Sequence, residues 1–209
     1  HAALKAAWPG VVEGAELIRS TQIQGRASMG GNLCNASPAA DSVPGMVAAA
    51  ATVTIFGPDG EREIPVEDFC MGPGQTSLSI GEMVAFINLP APAPIAGDAY
   101  LRFIPRTEMD IAVAGAGISV VLDEKGKCVG ARVALGAVAE RVLLVEKASR
   151  ALIGTSIDEI ALDKLASAAS AAARPIDDKR GTAEYRTRVI GVLARRAAII
   201  ALDRAGGSI

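Results

Sequence analysis

Between Leu89 and Gly97 the chain places proline at every second position, as Pro90, Pro92 and Pro94. Proline lacks a backbone N–H and fixes φ, so neither a helix nor a central strand can run through this stretch. The segment Ala91–Gly97 is therefore the expected linker. It divides the 209 residues into a unit over residues 1–93 and a unit over residues 94–209. That length suits one large domain or two small ones. Half of the residues are apolar but only 3% are aromatic, so Ala, Val, Ile and Leu must build the core.

The scarce residue types exclude the most. The single histidine is His1, which rules out a histidine-based triad and a multi-histidine metal centre. Cys34, Cys70 and Cys128 are far apart with no C-x-x-C, so they cannot build a local four-thiolate zinc or iron–sulfur site. An odd, scattered set also argues against a secreted disulfide framework. The expected compartment is the reducing cytoplasm. Charges nearly balance, with 21 Lys+Arg against 23 Asp+Glu, so no basic field points to nucleic acid or an anionic membrane. The most apolar stretch, Val43 to Phe56, is short and broken by Pro44, Gly45, Thr52 and Thr54; no membrane span is expected. No signal-peptide pattern is visible. The chain opens on His rather than Met, which reads as a processed start or as part of a longer protein.

Hydrophobic spacing predicts a helix over residues 4–19, interrupted at Trp8-Pro9-Gly10, with Pro9 at the first position of the second piece. Residues 21–42 have no sustained period and are rich in Gly, Asn and Ser, which predicts a loop with unusual backbone angles. A short helix from Val43 and a strand over Val53–Phe56 follow. Pro58-Asp59-Gly60 turns that strand back into Glu61–Ile64 as a hairpin. Val84–Leu89 reads as a further strand. Beyond the linker, strands are predicted at Tyr100–Ile104, Gly117–Leu122 and Cys128–Val138, the last two joined by the loop Asp123–Lys127. Ser156 with Glu159 reads as a capping box opening a helix whose core stripe is Ile157, Ile160, Ala161, Leu165 and Ala168. Pro175 stops it. A last helix spans about Ala183 to Arg204, with Val189, Leu193, Ala197 and Ile200 on one stripe. Strands followed by helices indicate an α+β fold.

Two phosphate-binding motifs nearly fit and fail. Gly25-x4-Gly30 has the spacing of a nucleotide-triphosphatase loop, but Gly31-Asn32 stands where Lys and Ser/Thr are needed. Gly115-Ala116-Gly117 lacks the third glycine of a dinucleotide fingerprint and enters a strand rather than a helix. Residues 25–41 have a different basis. Gly30-Gly31 lets main-chain N–H groups approach a ligand with no Cβ in the way. Ser28, Asn32 and Asn35 add side-chain donors and acceptors, and Asp41 could accept from a sugar hydroxyl. A diphosphate-linked nucleotide would use all of these. A structural turn, with Asn supplying left-handed angles, would show the same composition.

The run Gln22-Ile23-Gln24-Gly25-Arg26-Ala27-Ser28-Met29-Gly30-Gly31-Asn32-Leu33-Cys34-Asn35-Ala36-Ser37-Pro38-Ala39-Ala40-Asp41-Ser42-Val43-Pro44 resembles the second flavin-binding loop in the FAD-binding medium subunits of molybdenum hydroxylases of the carbon monoxide dehydrogenase and xanthine dehydrogenase type. Two separate segments agree: Ala99–Ala112 resembles the family's entry to its C-terminal domain, and Arg174–Arg186 its lead into the last helix. The resemblance covers essentially the whole chain. It implies an α+β fold: the second lobe of a PCMH-type FAD-binding domain, then a CO-dehydrogenase-flavoprotein-like C-terminal domain with an antiparallel three-stranded sheet and helices. It places Ser28, Gly30, Gly31 and Asn32 at the FAD diphosphate and neighbouring groups. Asn35 and Asp41 fall on further nucleotide contacts, Val84 against the flavin ring, and Arg102 where relatives often carry Lys near that ring. Gly25 departs from the family, which commonly has Asn there.

The larger departure is an N-terminal lobe with its own Gly-Gly loop, which family members carry and this chain does not. The 209 residues alone are therefore expected to bind FAD weakly or not at all. The resemblance implies an electron-transfer oxidoreductase subunit in a hetero-oligomer. One partner would carry the molybdenum cofactor and another two [2Fe–2S] clusters, with FAD passing electrons to NAD+, a quinone or oxygen. Two other readings stay open: a stand-alone flavin oxidoreductase of the same fold, and a non-catalytic scaffold without flavin. No residue reads as a catalytic nucleophile or base, which suits a chain whose cofactor does the chemistry. The three cysteines read as small buried apolar groups, and Trp8 as core or interface. Arg186, Arg188, Arg195 and Arg196 read as a solvated or subunit-facing surface. Asp177, Asp178, Lys179 and Arg180 read as caps and ion-pair partners of the last helix, and Asp158/Glu159 as carboxylates favoured at a helix start.

Overall fold

The computed structural model describes residues 1–18, 20–106 and 109–208; Arg19, Thr107, Glu108 and Ile209 lie outside the described residues, so the end of the predicted first helix and part of the Ala99–Ala112 segment are not covered. The chain opens with α1 (Ala2–Ala7) and α2 (Pro9–Glu16), broken at Trp8 as expected, with Pro9 in the first turn of α2. Trp8 is buried, and its indole N–H donates to the Pro90 carbonyl at 2.8 Å, which ties the α1–α2 junction to the residue just before the linker.

The predicted irregular stretch contains two short helices, α3 (Thr21–Gln24) and α4 (Met29–Cys34). The Gly-Gly pair is helical, and the left-handed residue of this stretch is Ala36, at φ 48°. A Ser28 cap on α4 accounts for the difference, since one side-chain acceptor lets glycines join a helix they would not start. α5 (Ser42–Ala48) is buried along its whole length. It leads into β1 (Thr52–Gly57), β2 (Gly60–Pro65), the short pair β3 (Cys70–Gly72) and β4 (Gln75–Thr76), and then β5 (Met83–Asn88). β1 is central in an antiparallel sheet of order β2-β1-β5. Its turn uses Gly60 at φ 116°, a conformation open to glycine.

The second sheet holds β6 (Ala96–Phe103), β7 (Ala114–Leu122), β8 (Cys128–Gly136) and β9 (Leu143–Leu144) in sequential antiparallel order. The two-residue β9 adds a fourth strand to the three expected. β6 begins within the predicted linker, because Ala96 and Gly97 already pair with Val121 and Val120. Three helices follow: α6 (Glu146–Leu152), α7 (Glu159–Ala172) and α8 (Ala183–Arg204). α7 is capped by Asp158, whose carboxylate accepts from Ala161 N–H at 2.9 Å, not by Ser156. Its buried stripe is Ala161, Leu162, Leu165, Ala168 and Ala169, while Ile160 is 67% exposed. Ile157, Ala161, Leu165 and Ala168 of the predicted stripe are buried, and Leu162 and Ala169 rather than Ile160 complete it. On α8, likewise, Leu193 and Ala197 are buried but Val189 and Ile200 are half-buried at the edge.

Alternation along β7 explains how the halves meet. Ala116, Ile118, Val120 and Leu122 face α7 and α8 in one apolar cluster. The odd-numbered residues point the other way, toward α5. There a Cβ on Gly117 would come within 2.6 Å of the Pro44 carbonyl carbon, and the Ser119 hydroxyl donates to the Ala48 carbonyl at 2.6 Å. Glycine and serine on that face let α5 lie directly on the sheet. The second sheet is thus covered on both faces, and Ala134 of β8 joins the cluster built by α5 and β1.

Arg186 corrects the reading of the α8 cations as surface. It is 4% exposed, donates to the carbonyls of Val113 and Ala137 at 2.9 and 3.3 Å, and pairs with Asp178 at 2.7 Å. Asp177 accepts from Ala183 N–H at 2.5 Å and Thr182 caps Tyr185 N–H at 3.1 Å, so the segment before α8 does cap it. Among the described residues no helix is long and apolar enough to cross a membrane.

Candidate functional site

The site residues named from the sequence lie on α4, on the start of α5, on β5 and on β6. Ser28 Oγ accepts from Gly31 N–H at 3.0 Å and so closes the first turn of α4. The N–H groups of Met29 and Gly30 precede any possible intrahelical acceptor. A Cβ on Gly30 would meet nothing within 4 Å, which leaves this backbone open to an approaching group. Asn32 is held from behind, its Oδ1 accepting from the Ser42 hydroxyl at 2.8 Å.

Asp41 immediately precedes α5 and is 8% exposed. Both of its oxygens are engaged: Oδ1 accepts from the Tyr100 hydroxyl at 2.9 Å and Oδ2 from Arg102 Nη1 at 2.5 Å. Tyr100 and Arg102 are two apart on β6, so they share a face. Burial pushes the Asp41 carboxyl up, while Arg102 and the Tyr100 hydrogen bond pull it back. Burial also holds the Tyr100 phenol far above its ordinary range, and the Asp41 charge adds to that. Tyr100 therefore stays protonated and donates.

Asn32, Asn35 and Asp41 line one cleft of about 230 Å³, together with Ile18, Asp110 and Arg180. On its far wall Asp110 accepts from Arg180 Nε at 2.7 Å and pairs with Arg106 at 3.2 Å. The Arg180 hydrogen bond holds the Asp110 carboxyl below its ordinary value. Ser28 borders a neighbouring hollow with Gln24 and Ala27, and Ile18 lies in both. Arg102 joins the cleft through Asp41. Val84 is set apart: it pairs with Ile55 across the first sheet and packs half-buried against the α5 cluster, on a strand that lies beside α4. Sequence reasoning missed Tyr100, Asp110 and Arg180. The alternation that pairs Tyr100 with Arg102 was readable. The Asp110–Arg180 contact, 70 residues apart in sequence, was not. Among the described residues no group of three His, Cys, Asp or Glu side chains is placed to hold a metal.

Residues 1–92 match the family model described as the FAD binding domain in molybdopterin dehydrogenase, and residues 99–201 the CO dehydrogenase flavoprotein C-terminal domain. Over 202 residues the chain is 37% identical to the carbon monoxide dehydrogenase medium chain of Afipia carboxidovorans, covering 97% of this chain and 69% of that one. The chain belongs to the FAD-binding medium subunits of the carbon monoxide dehydrogenase and xanthine dehydrogenase family. A xanthine dehydrogenase FAD-binding subunit of Escherichia coli O157:H7 is 28% identical over 202 residues, covering 96% of this chain and 69% of that one. The medium-subunit fold agrees. The reconstituted CO dehydrogenase from Oligotropha carboxidovorans gives a TM-score of 0.92 at 36% identity, over 98% of this chain and 71% of that one. Quinoline 2-oxidoreductase from Pseudomonas putida 86 gives 0.87 at 27% identity, over 97% and 70%.

Cys34, at the end of α4 in this medium subunit, is exposed rather than buried, whereas Cys70 and Cys128 are buried as expected. The six-residue α4 turns one side to solvent, and Leu33 takes the inward position beside it. Partial desolvation pushes the Cys34 thiol up even on the surface, and burial raises the other two, Cys70 to about 11, so none is an activated thiolate.

Proposed function

We propose that this subunit carries FAD between a [2Fe–2S] partner and a final acceptor (NAD+, a quinone or oxygen) in a molybdenum hydroxylase whose large subunit holds the molybdenum cofactor. The observation that carries this reading is the junction of α4, α5 and β6. The amides of Asn32 and Asn35 and the Asp41 carboxylate, itself paired with Arg102, line one cleft, and the α4 start with its open main-chain N–H groups borders the neighbouring hollow through Ser28 and Met29.

That donor set fits the cofactor. Neutral N–H groups and amides suit a diphosphate, and the space beside Gly30 is open, with no protein atom within 4 Å of where a Cβ would stand. Ser28, Gly30, Gly31 and Asn32 would hold the diphosphate side, Asn35 and Asp41 the nucleotide side, and Val84 and Arg102 would meet the ring. FAD, when bound, supplies the electron-accepting chemistry. The chain's own residues orient it and set the charge beside it. Arg102 has its charge largely matched by Asp41, so the pair presents a fixed dipole rather than a free cation. The family model over residues 1–92 supports the cofactor's identity. We also place the division between the FAD-binding part and the C-terminal part at residues 93/94, and the compartment as the cytoplasm. The alternating prolines support the first, and the three free thiols the second.

Native mass spectrometry of the complex purified through this subunit tests the reading. Co-purifying molybdenum and iron–sulfur subunits with bound FAD are expected. Flavin without those partners would favour a stand-alone flavin oxidoreductase, and partners without flavin a scaffold. The 209-residue chain alone should lose FAD on gel filtration, read by its visible absorbance; stoichiometric retention would refute the expectation of a partial site.

A further inference from the structure

We propose that Tyr100 is a positioning residue for the flavin site: it fixes the Asp41 carboxylate, and Asp41 in turn fixes the guanidinium of Arg102. The inference rests on the reading that the cleft holds the flavin. Tyr100 is 2% exposed, and its hydroxyl has one side-chain partner, Asp41, at 2.9 Å. A tyrosine this deep in the fold could have been a phenylalanine unless the hydroxyl is used.

The strand next to it is shaped for this contact. Gly115 of β7 pairs with Arg102 in register, and a Cβ there would come within 2.6 Å of the Tyr100 hydroxyl. Gly117, which pairs with Tyr100 itself, makes room for the Pro44–Gly45 peptide of α5, and so brings Asp41 down onto β6. The two glycines of Gly115-Ala116-Gly117, which is no dinucleotide fingerprint, serve this approach instead. The next residue, Ser42, holds Asn32 of α4 at 2.8 Å. Asp41 and Ser42 thus lock α4 and β6 to one point.

The consequence is electrostatic. Removing the Tyr100 hydroxyl takes a donor from a buried carboxylate, which disfavours its charge. The cluster becomes more positive, and a more positive surrounding favours the electron-rich reduced flavin. The experiment is a spectroelectrochemical titration of the flavin in the assembled holoenzyme, with Tyr100→Phe, Asp41→Asn, their double variant and Arg102→Gln. Tyr100→Phe is expected to make the flavin easier to reduce, by at least about threefold in the two-electron equilibrium constant, or about 14 mV. Asp41→Asn shifts it the same way, Arg102→Gln the opposite way. Because Tyr100 acts through Asp41, the double variant should match Asp41→Asn alone. Additive shifts would overturn the proposal. So would an unmoved Tyr100→Phe beside a shifted Arg102→Gln, an outcome that leaves the flavin-site reading intact. No shift in any variant would sink that reading and the proposal with it. If Tyr100→Phe does not assemble, Gly115→Ala displaces the same hydroxyl from the neighbouring strand and must give the same shift. Failure of both to assemble would assign Tyr100 to packing alone.

Discussion

Asp98 is a carboxylate that folding buries at the start of another helix, and its proton should be visible in the stability of the chain. It lies on β6, 2% exposed, and its Oδ2 accepts from Gly10 N–H in the first turn of α2 at 2.9 Å. Trp8 supplies no side-chain cap and Pro9 has no N–H, so a residue 88 positions away does the capping. Arg204 closes the cluster, donating to the Asp98 carbonyl at 2.7 Å and to Glu13. Burial pushes the Asp98 carboxyl up from 3.8 to about 6, against the pull of Gly10 and Arg204 and with a further push from Glu13. The folded state therefore holds a proton that the unfolded chain has already released. The stability this provides is complete below about pH 4 and is lost as pH rises through about 6. That displacement corresponds to about 3 kcal/mol, which in a chain of this size is about 6–12 °C in Tm. Asp98→Asn removes the titration and keeps an oxygen facing Gly10. Thermal unfolding followed by circular dichroism between pH 4 and 7.5 should show the parent losing about this much relative to the variant. Glu82, Asp110 and Asp178 are held low by their partners and act in the opposite sense at lower pH; the difference between the two proteins cancels them. Parallel Tm–pH curves would refute the buried-proton argument.

The remaining predictions follow from packing and exposure. Gly117→Ala must push α5 off the sheet, because a Cβ would meet the Pro44–Gly45 peptide at 2.6–2.9 Å; a loss of about 3 kcal/mol is expected in urea midpoints, and no change would mean that the helix can shift freely. Arg186→Met leaves two buried carbonyls and Asp178 without their partner and should cost about 3–5 kcal/mol, read by the same denaturation. In thiol labelling of the native chain Cys34 alone should react, with Cys70 and Cys128 joining only after unfolding; native labelling of all three would contradict the packing described. Arg195→Ala, which removes exposed pairs with Glu159 and Asp163, should change stability by under about 1 kcal/mol.

Local rules made much of this chain legible. The break at Pro9, the Gly60 turn and the full span of α8 follow from residues that act on their own backbone, and a sequence displays such residues directly. The family was legible from the run Ser28 to Asp41 for a different reason, its likeness to a known flavin loop over many positions, although the helix α4 within it was not. On α7 the apolar spacing placed Ile160 in the core stripe, and packing against α8 and the second sheet left it exposed and buried Leu162 instead. Arg186 was misplaced because its partners, the Val113 and Ala137 carbonyls, lie just outside β7 and β8, far away along the chain.

By itself, then, the sequence determined the longer elements and the chemistry available around α4, but not the short helices α3, α4 and α6 or the short strands β3, β4 and β9. The tertiary structure decided what those groups face. It turned Asp41 from a free acceptor into the shared partner of Tyr100 and Arg102, and Asp98 into the cap of a helix from the other half of the chain. It also gave Gly115 and Gly117 their purpose, as the space in which a buried helix meets a sheet. The physical reason is that charge and close packing depend on distance in space, whereas helix caps and turns depend on distance along the chain.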